Sequence, residues 1–180
     1  MEPAATLMLE GREFALHATE KRGQATYAIR RFEKGASVEF LATKIEDREG
    51  RPVETPLAQI GGARQPYHTD EFYVEEIKNS ANTPEGARML SKLYDHMEEH
   101  LKRNGINSFT TDAIMHVHEF FRRKGYSTDN PSAPARLARF REKFAHLKKL
   151  RAETVDARRS ALLSVVGSTI FMRKETPPHK

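Results

Sequence analysis

The apolar residues of this chain change their spacing at Thr83, and that change constrains the fold more than any other feature. Before it, Glu13–Thr19, Ala25–Phe32, Val38–Ile45 and Phe72–Lys78 alternate over short runs separated by turn residues, the pattern of half-buried strands. After it, Met89, Leu90, Leu93, Tyr94, Met97 and Leu101 fall on one stripe of a 3.6-residue helix. A meander of antiparallel strands followed by a long amphipathic helix is therefore expected.

Turn chemistry is read at Asp47–Pro52, and Leu57–Ile60 is read as a short segment entering a loop at Gly61-Gly62. The helix runs from Pro84 to about Arg103, with Thr83 as cap and Gly86 in its first turn, and Asn104-Gly105 ends it. Ile106–Thr110 predicts a brief strand. Thr111 or Asp112 would cap a second helix carrying Ile114, Val117, Phe120 and Phe121 and stopping at Gly125. A loop to Pro134 leads into a basic helical stretch, Ala135 to about Leu163, with Leu137, Phe140, Phe144, Leu147 and Leu150 on one stripe. Residues 168–174 predict a last strand before a fraying tail. The expected fold is mixed α/β, with a mostly antiparallel central sheet, flanking helices and a basic helical insertion near the C-terminus (about 128–163). The 180 residues form one domain in this reading.

Composition narrows the function classes. With 38% hydrophobic and 31% charged residues, the chain is expected to be soluble and globular rather than disordered. The absence of cysteine excludes disulfides, zinc–thiolate sites and thiol nucleophiles. No run of about 18 apolar residues spans a membrane, and no basic region followed by an apolar core opens the chain. A cytoplasmic protein is expected. The net charge of +5 is unevenly spread: residues 1–100 carry 13 Lys/Arg against 18 Asp/Glu, and residues 101–180 carry 17 against 7. That basic half would suit nucleic acid or an acidic protein at Arg136, Arg139, Lys143, Lys148 and Lys149, or else forms a solvated face. It lacks the interleaved aromatics that stack bases.

Thr83-Pro84-Glu85-Gly86-Ala87-Arg88-Met89-Leu90 and the later Phe120-Phe121-Arg122-Arg123-Lys124-Gly125-Tyr126 together resemble the coenzyme A-binding half of the GNAT superfamily of acyl-CoA-dependent N-acetyltransferases. The likeness covers roughly residues 13–126, with 169–174 as the returning strand. It departs from the family where Ala81, Asn82 and Pro84 stand in place of Arg or Gln, Gly and Gly, and where Met115 stands for a frequent asparagine.

The resemblance implies acetyl-CoA as acyl donor and a primary amine as acceptor. It places pyrophosphate at the N–H groups of Glu85, Gly86 and Ala87, beside Thr83 and Arg88, in a cleft also lined by Val74 and Ile77. Phe121 falls where many members carry a tyrosine that protonates the departing thiolate, and it has no proton to give. Tyr126, Tyr94, Tyr73 or a water would have to stand in. The base that relieves the amine of its proton would be Glu75 or Glu76, which alternation points to opposite faces; Glu76 shares a face with Phe72 and Val74 in this reading. A chain with this fold that has lost the reaction and binds through its basic insertion is the alternative.

Other constellations are weaker. His96 and His100 share a helix face at a spacing that can hold zinc, but no third ligand accompanies them, so a surface pair beside Asp95 and Glu99 is the plainer reading and no metal is expected. His116 and His118 are expected to pack against the sheet unless one serves as a base.

Overall fold

Alternation in the first eighty residues builds a sheet. The computed structural model describes residues 2–114, 117–128, 134–135, 138–139, 142 and 169–177. It divides into two compact units, Met1–Ser108 with Thr176–Lys180, and Phe109–Glu175.

The first unit holds β1 (Thr6–Leu9), β2 (Arg12–Arg22), β3 (Ala25–Lys34), β4 (Ser37–Arg48), β5 (Arg51–Arg64), β6 (Glu71–Asn79) and helix α1 (Pro84–Arg103). The six strands neighbour one another in chain order, every pair antiparallel. Two-residue turns allow this, as at Glu49-Gly50, where both residues have positive φ (56° and 78°) and the Asp47 carboxylate accepts the Gly50 N–H at 2.7 Å.

α1 lies on β5, β4 and β6. Met89, Leu90, Leu93, Tyr94, Met97 and Leu101 are all buried, as their spacing predicts. Full burial of Leu93 or Met97 contributes about 1.5–3 kcal/mol each, an upper bound for an unfolded chain that is already partly compact. The Thr83 hydroxyl accepts the Gly86 N–H at 3.1 Å, Pro84 stands at the first helical position, and Lys102 and Arg103 face the negative helix end.

β1 carried no clear alternation, was not expected from the sequence, and forms by pairing with Arg12–Ala15. β5 is one strand of 14 residues, where the sequence suggested a turn through Pro52 and a loop from Gly61. The two glycines sit inside the strand because β6 comes too close for a side chain: a Cβ on Gly62 would run into the Tyr73 carbonyl, with the Phe72 ring 2.9 Å away. Pro52 and Pro56 are tolerated because β6 pairs only with Ala58–Arg64, which leaves the first half of β5 partnered on one side.

β7 (Ser108–Ile114) runs four residues past the expected end, since the run Phe109–Thr111 suits a pleated strand better than a helix cap. α2 (His118–Arg123) starts beyond it, with Val117 at its cap and no side-chain cap bond, so Ile114 belongs to the strand. β8 (Thr169–Glu175) is the expected returning strand; it neighbours β7, and Ser127 exchanges two 2.9 Å backbone bonds with Arg173. The architecture is thus the expected mixed, mostly antiparallel α/β class, and its element order is the one the acetyltransferase resemblance implies.

Most of the basic insertion lies outside the described residues, including Arg136, Lys143, Lys148, Lys149 and the stripe from Leu137 to Leu150. Pro134, Ala135, Ala138, Arg139 and Glu142 are helical, and Arg139 is exposed. His116 also lies outside them, and His118 is buried in α2.

Candidate functional site

β6 carries a bulge. Gly61 pairs with Glu76 and the next residue, Gly62, pairs with Val74, so Glu75 is the extra residue. The bulge breaks the alternation on which the faces were assigned. Glu76 leaves the side of Phe72 and Val74 and joins Gly61, whose other partner is Glu39. Both Glu75 and Glu76 are exposed, and neither has an ion pair or side-chain hydrogen bond among the described residues. Val74 is buried in the core, and Ile77 is half-buried.

Glu76 therefore shares a sheet face with two polar clusters that the sequence did not reveal. Arg12 Nη1 donates to both carboxylate oxygens of Glu39, at 2.6 and 2.5 Å, and Gln59 Nε2 donates to the same carboxylate at 3.0 Å. Further along, Arg30 is 0% exposed. Its Nε and Nη2 donate to Glu54 at 2.9 and 2.5 Å, Nη2 also reaches the Ala4 carbonyl at 2.9 Å, and the Thr43 hydroxyl donates to Glu54 at 2.6 Å. Burial pushes the Glu54 carboxyl up, but these donors more than offset it and hold it below the usual carboxylate range. Arg30 on β3 gave no sequence signal for this pair, because its partner lies 24 residues away.

The start of α1 gathers a second set. Gly86 donates to the Thr83 hydroxyl and Ala87 to the Thr83 carbonyl at 3.0 Å, so two of the three expected N–H groups serve the helix's own cap. Asn79 Nδ2 also donates to the Thr83 carbonyl, at 3.0 Å. Glu85 reaches away from the axis to Tyr27, whose hydroxyl donates to its carboxylate at 2.5 Å. Lys44 Nζ lies 3.4 Å from the same oxygen, and Arg88 Nη2 donates to the Tyr27 oxygen at 3.4 Å. The Tyr27 hydrogen bond, aided by Lys44 and Arg88, keeps the Glu85 carboxyl below its usual range; burial, then Glu85, push the phenol up. Two cations and a helix N-terminus thus surround one internal carboxylate.

In the second unit Phe121 is 2% exposed, with its ring 5.0 Å from Tyr126 and 5.4 Å from Phe120. Tyr126, at 3% exposure, packs its ring against Phe121, where the resemblance leads one to expect a tyrosine. Arg122 and Arg123 close on Glu119 at the surface. Among the described residues no group of three His, Asp or Glu is arranged to hold a metal.

No family model matches the sequence, and no curated protein matches it. Among solved structures the chain is similar to that of Tetrahymena GCN5, with 12% identity over 78% of this chain and 71% of that one and a TM-score of 0.43. It is also similar to an aminoglycoside 6'-N-acetyltransferase from Enterococcus faecium, with 11% identity over 81% and 76% and a TM-score of 0.44. At this identity and these TM-scores, neither likeness says what this chain binds or does.

Proposed function

We propose that the chain is an acyl-CoA-dependent N-acyltransferase that moves an acetyl group to a primary amine. The observation that carries the reading is the order of elements: an antiparallel meander with a bulged last strand, a capped helix straight after it, then strand, helix and returning strand. The donor set at the helix start supports it. Lys44 and Arg88 would hold phosphate oxygens as point charge and fork, with the positive end of α1 behind them. The Glu85 carboxylate is a stand-in anion there and would have to give way. Acetyl-CoA, when bound, would supply a thioester carbonyl open to attack by a neutral amine, with coenzyme A thiolate as the leaving group.

The chain's own residues have two tasks in this reaction. An amine is protonated near neutral pH, and an exposed, uncommitted carboxylate accepts its proton directly or through water. Glu76 suits this task, sharing its face with the Arg12-held Glu39; Glu75, on the bulge, is the other candidate. Return of a proton to the leaving sulfur needs an acid that Phe121 does not offer, and we assign it to Tyr126. Titration calorimetry with acetyl-CoA tests the reading before any acceptor is identified. Saturable binding at micromolar to millimolar donor is expected; no heat at millimolar donor would leave a non-catalytic binding protein.

A further inference from the structure

Three histidines face one another under the second half of α1. The His17 ring of β2 meets those of His96 and His100 edge to face, at 5.5 and 5.9 Å between centroids, and the Phe40 ring of β4 at 5.1 Å. Arg31 of β3 lies among them. Its Nη1 is 2.8 Å from His100 Nδ1 and 3.5 Å from His17 Nδ1. A guanidinium only donates, so both Nδ1 atoms must be unprotonated for these contacts to hold. That leaves the His100 proton on Nε2, where it meets Glu33 at 3.1 Å.

The surrounding charges are already matched. From β2 comes Glu20, which takes Lys92 of α1 and stands 3.2 Å from His96 Nε2. From β3 comes Glu33, 3.3 Å from Arg31 and 3.8 Å from Arg64 of β5. Glu99 of α1 is paired with Arg103, and β4 contributes only the Phe40 ring. A proton on His96 would find Glu20. A proton on His17 would find Arg31 and two imidazoles, which outweigh the opposing pull of Glu99, a carboxylate already paired with Arg103.

We propose that His17, packed against His96, His100 and Arg31, is an acid-released latch, in which a proton on its imidazole pushes the second half of α1 away from β2 and β3. Protonation removes an acceptor of Arg31 and adds positive charge to a cluster whose carboxylates are committed. Burial, then His96, Arg31 and His100, hold His17 down to about 4 from the ordinary histidine value of 6.5. A depressed histidine favours the closed form fully above the unfolded value, and that contribution is lost as pH falls from 6.5 towards about 4. The device does not depend on the acyltransfer reading.

Hydrogen exchange of the full chain tests it. Corrected for intrinsic rates, amides of residues 92–103 should lose protection by about tenfold between about pH 7 and pH 5, while those of residues 38–45 lose far less. His17→Gln keeps an acceptor for Arg31 and cannot take a proton, so the loss should shrink to within about threefold. An equal loss in both proteins, or one spread evenly over the sheet, overturns the latch. If His17→Gln does not fold, imidazole NMR on the wild type decides: His17 titrating well below 6.5 supports it, and titration at 6.5 overturns it.

Discussion

The Asn79 side chain occupies the space that any side chain at Gly86 would need: its Oδ1 stands where a Cβ would project, with the Leu57 carbonyl 3.0 Å away. The glycine in the first turn of α1 is thus required by packing against β5 and β6. Gly86→Ala should destabilise the protein by about 1–3 kcal/mol, outweighing the roughly 1 kcal/mol alanine gains over glycine within a helix. Denaturant midpoints measure this, and adding Asn79→Ala should recover part of the loss. A double variant no more stable than Gly86→Ala alone would mean that the Leu57 carbonyl sets the limit. A Gly86 variant with weaker coenzyme A binding therefore bears on phosphate contact only if its helix start is intact.

Glu85 and Tyr27 give the cleaner test of the donor site. Glu85→Gln removes the internal anion and frees Lys44. If phosphates bind there, affinity for coenzyme A should rise several-fold, by an amount that diminishes with added salt. Lys44→Ala should lower it. Calorimetry at two salt concentrations reads both, and an unchanged affinity in both variants would move the site elsewhere. Tyr27→Phe should cost about 1 kcal/mol of stability through its lost hydrogen bond.

The Arg30–Glu54 pair should behave as a buried charge pair. Glu54→Ala strands the guanidinium in the core and should cost about 3–5 kcal/mol, whereas replacing both residues with apolar ones of similar volume should cost far less. Because its donors hold the Glu54 carboxyl below the ordinary range, it stabilises the fold above that range and the contribution is lost as acid protonates it. Thermal melts from neutral to acid pH should show this loss at lower pH than the one carried by His17, and Glu54→Gln should remove it.

Glu76→Gln is expected to lower kcat by about 10²–10⁴ while leaving donor affinity unchanged, with the rate of the remaining activity rising towards alkaline pH as the amine deprotonates on its own. Release of free thiol in the presence of an amine panel measures it. Should Glu75→Gln show the larger loss, the bulge residue is the base. Neither variant slowing turnover would point to a base on another element.

The helix α1 was legible in the sequence almost to the residue, because its stripe, its Thr83-Pro84 start and its Asn104-Gly105 end agree. Four of the six meander strands were legible from their alternation between turn residues. What the sequence hid depends on close approach between strands. Gly61-Gly62 reads as a loop in one dimension and is the seam of a bulged pair in three. The bulge in turn moved Glu76 to the other face, which no alternation rule foresees. The Arg12–Glu39, Arg30–Glu54 and His17–His96–His100 clusters join residues 24 to more than 70 positions apart, and no local spacing carries them.

The one-sided first half of β5 has a consequence for how copies of this protein meet. A strand edge with regularly spaced donors invites a second chain to add to it. Between Arg51 and Leu57 that invitation is broken twice, because Pro52 and Pro56 offer no N–H and Glu54 turns its carboxylate to Arg30. Replacing both prolines with residues that restore the donors would leave the pairing with β4 in place and open a continuous edge, and should raise the tendency of copies to join edge to edge.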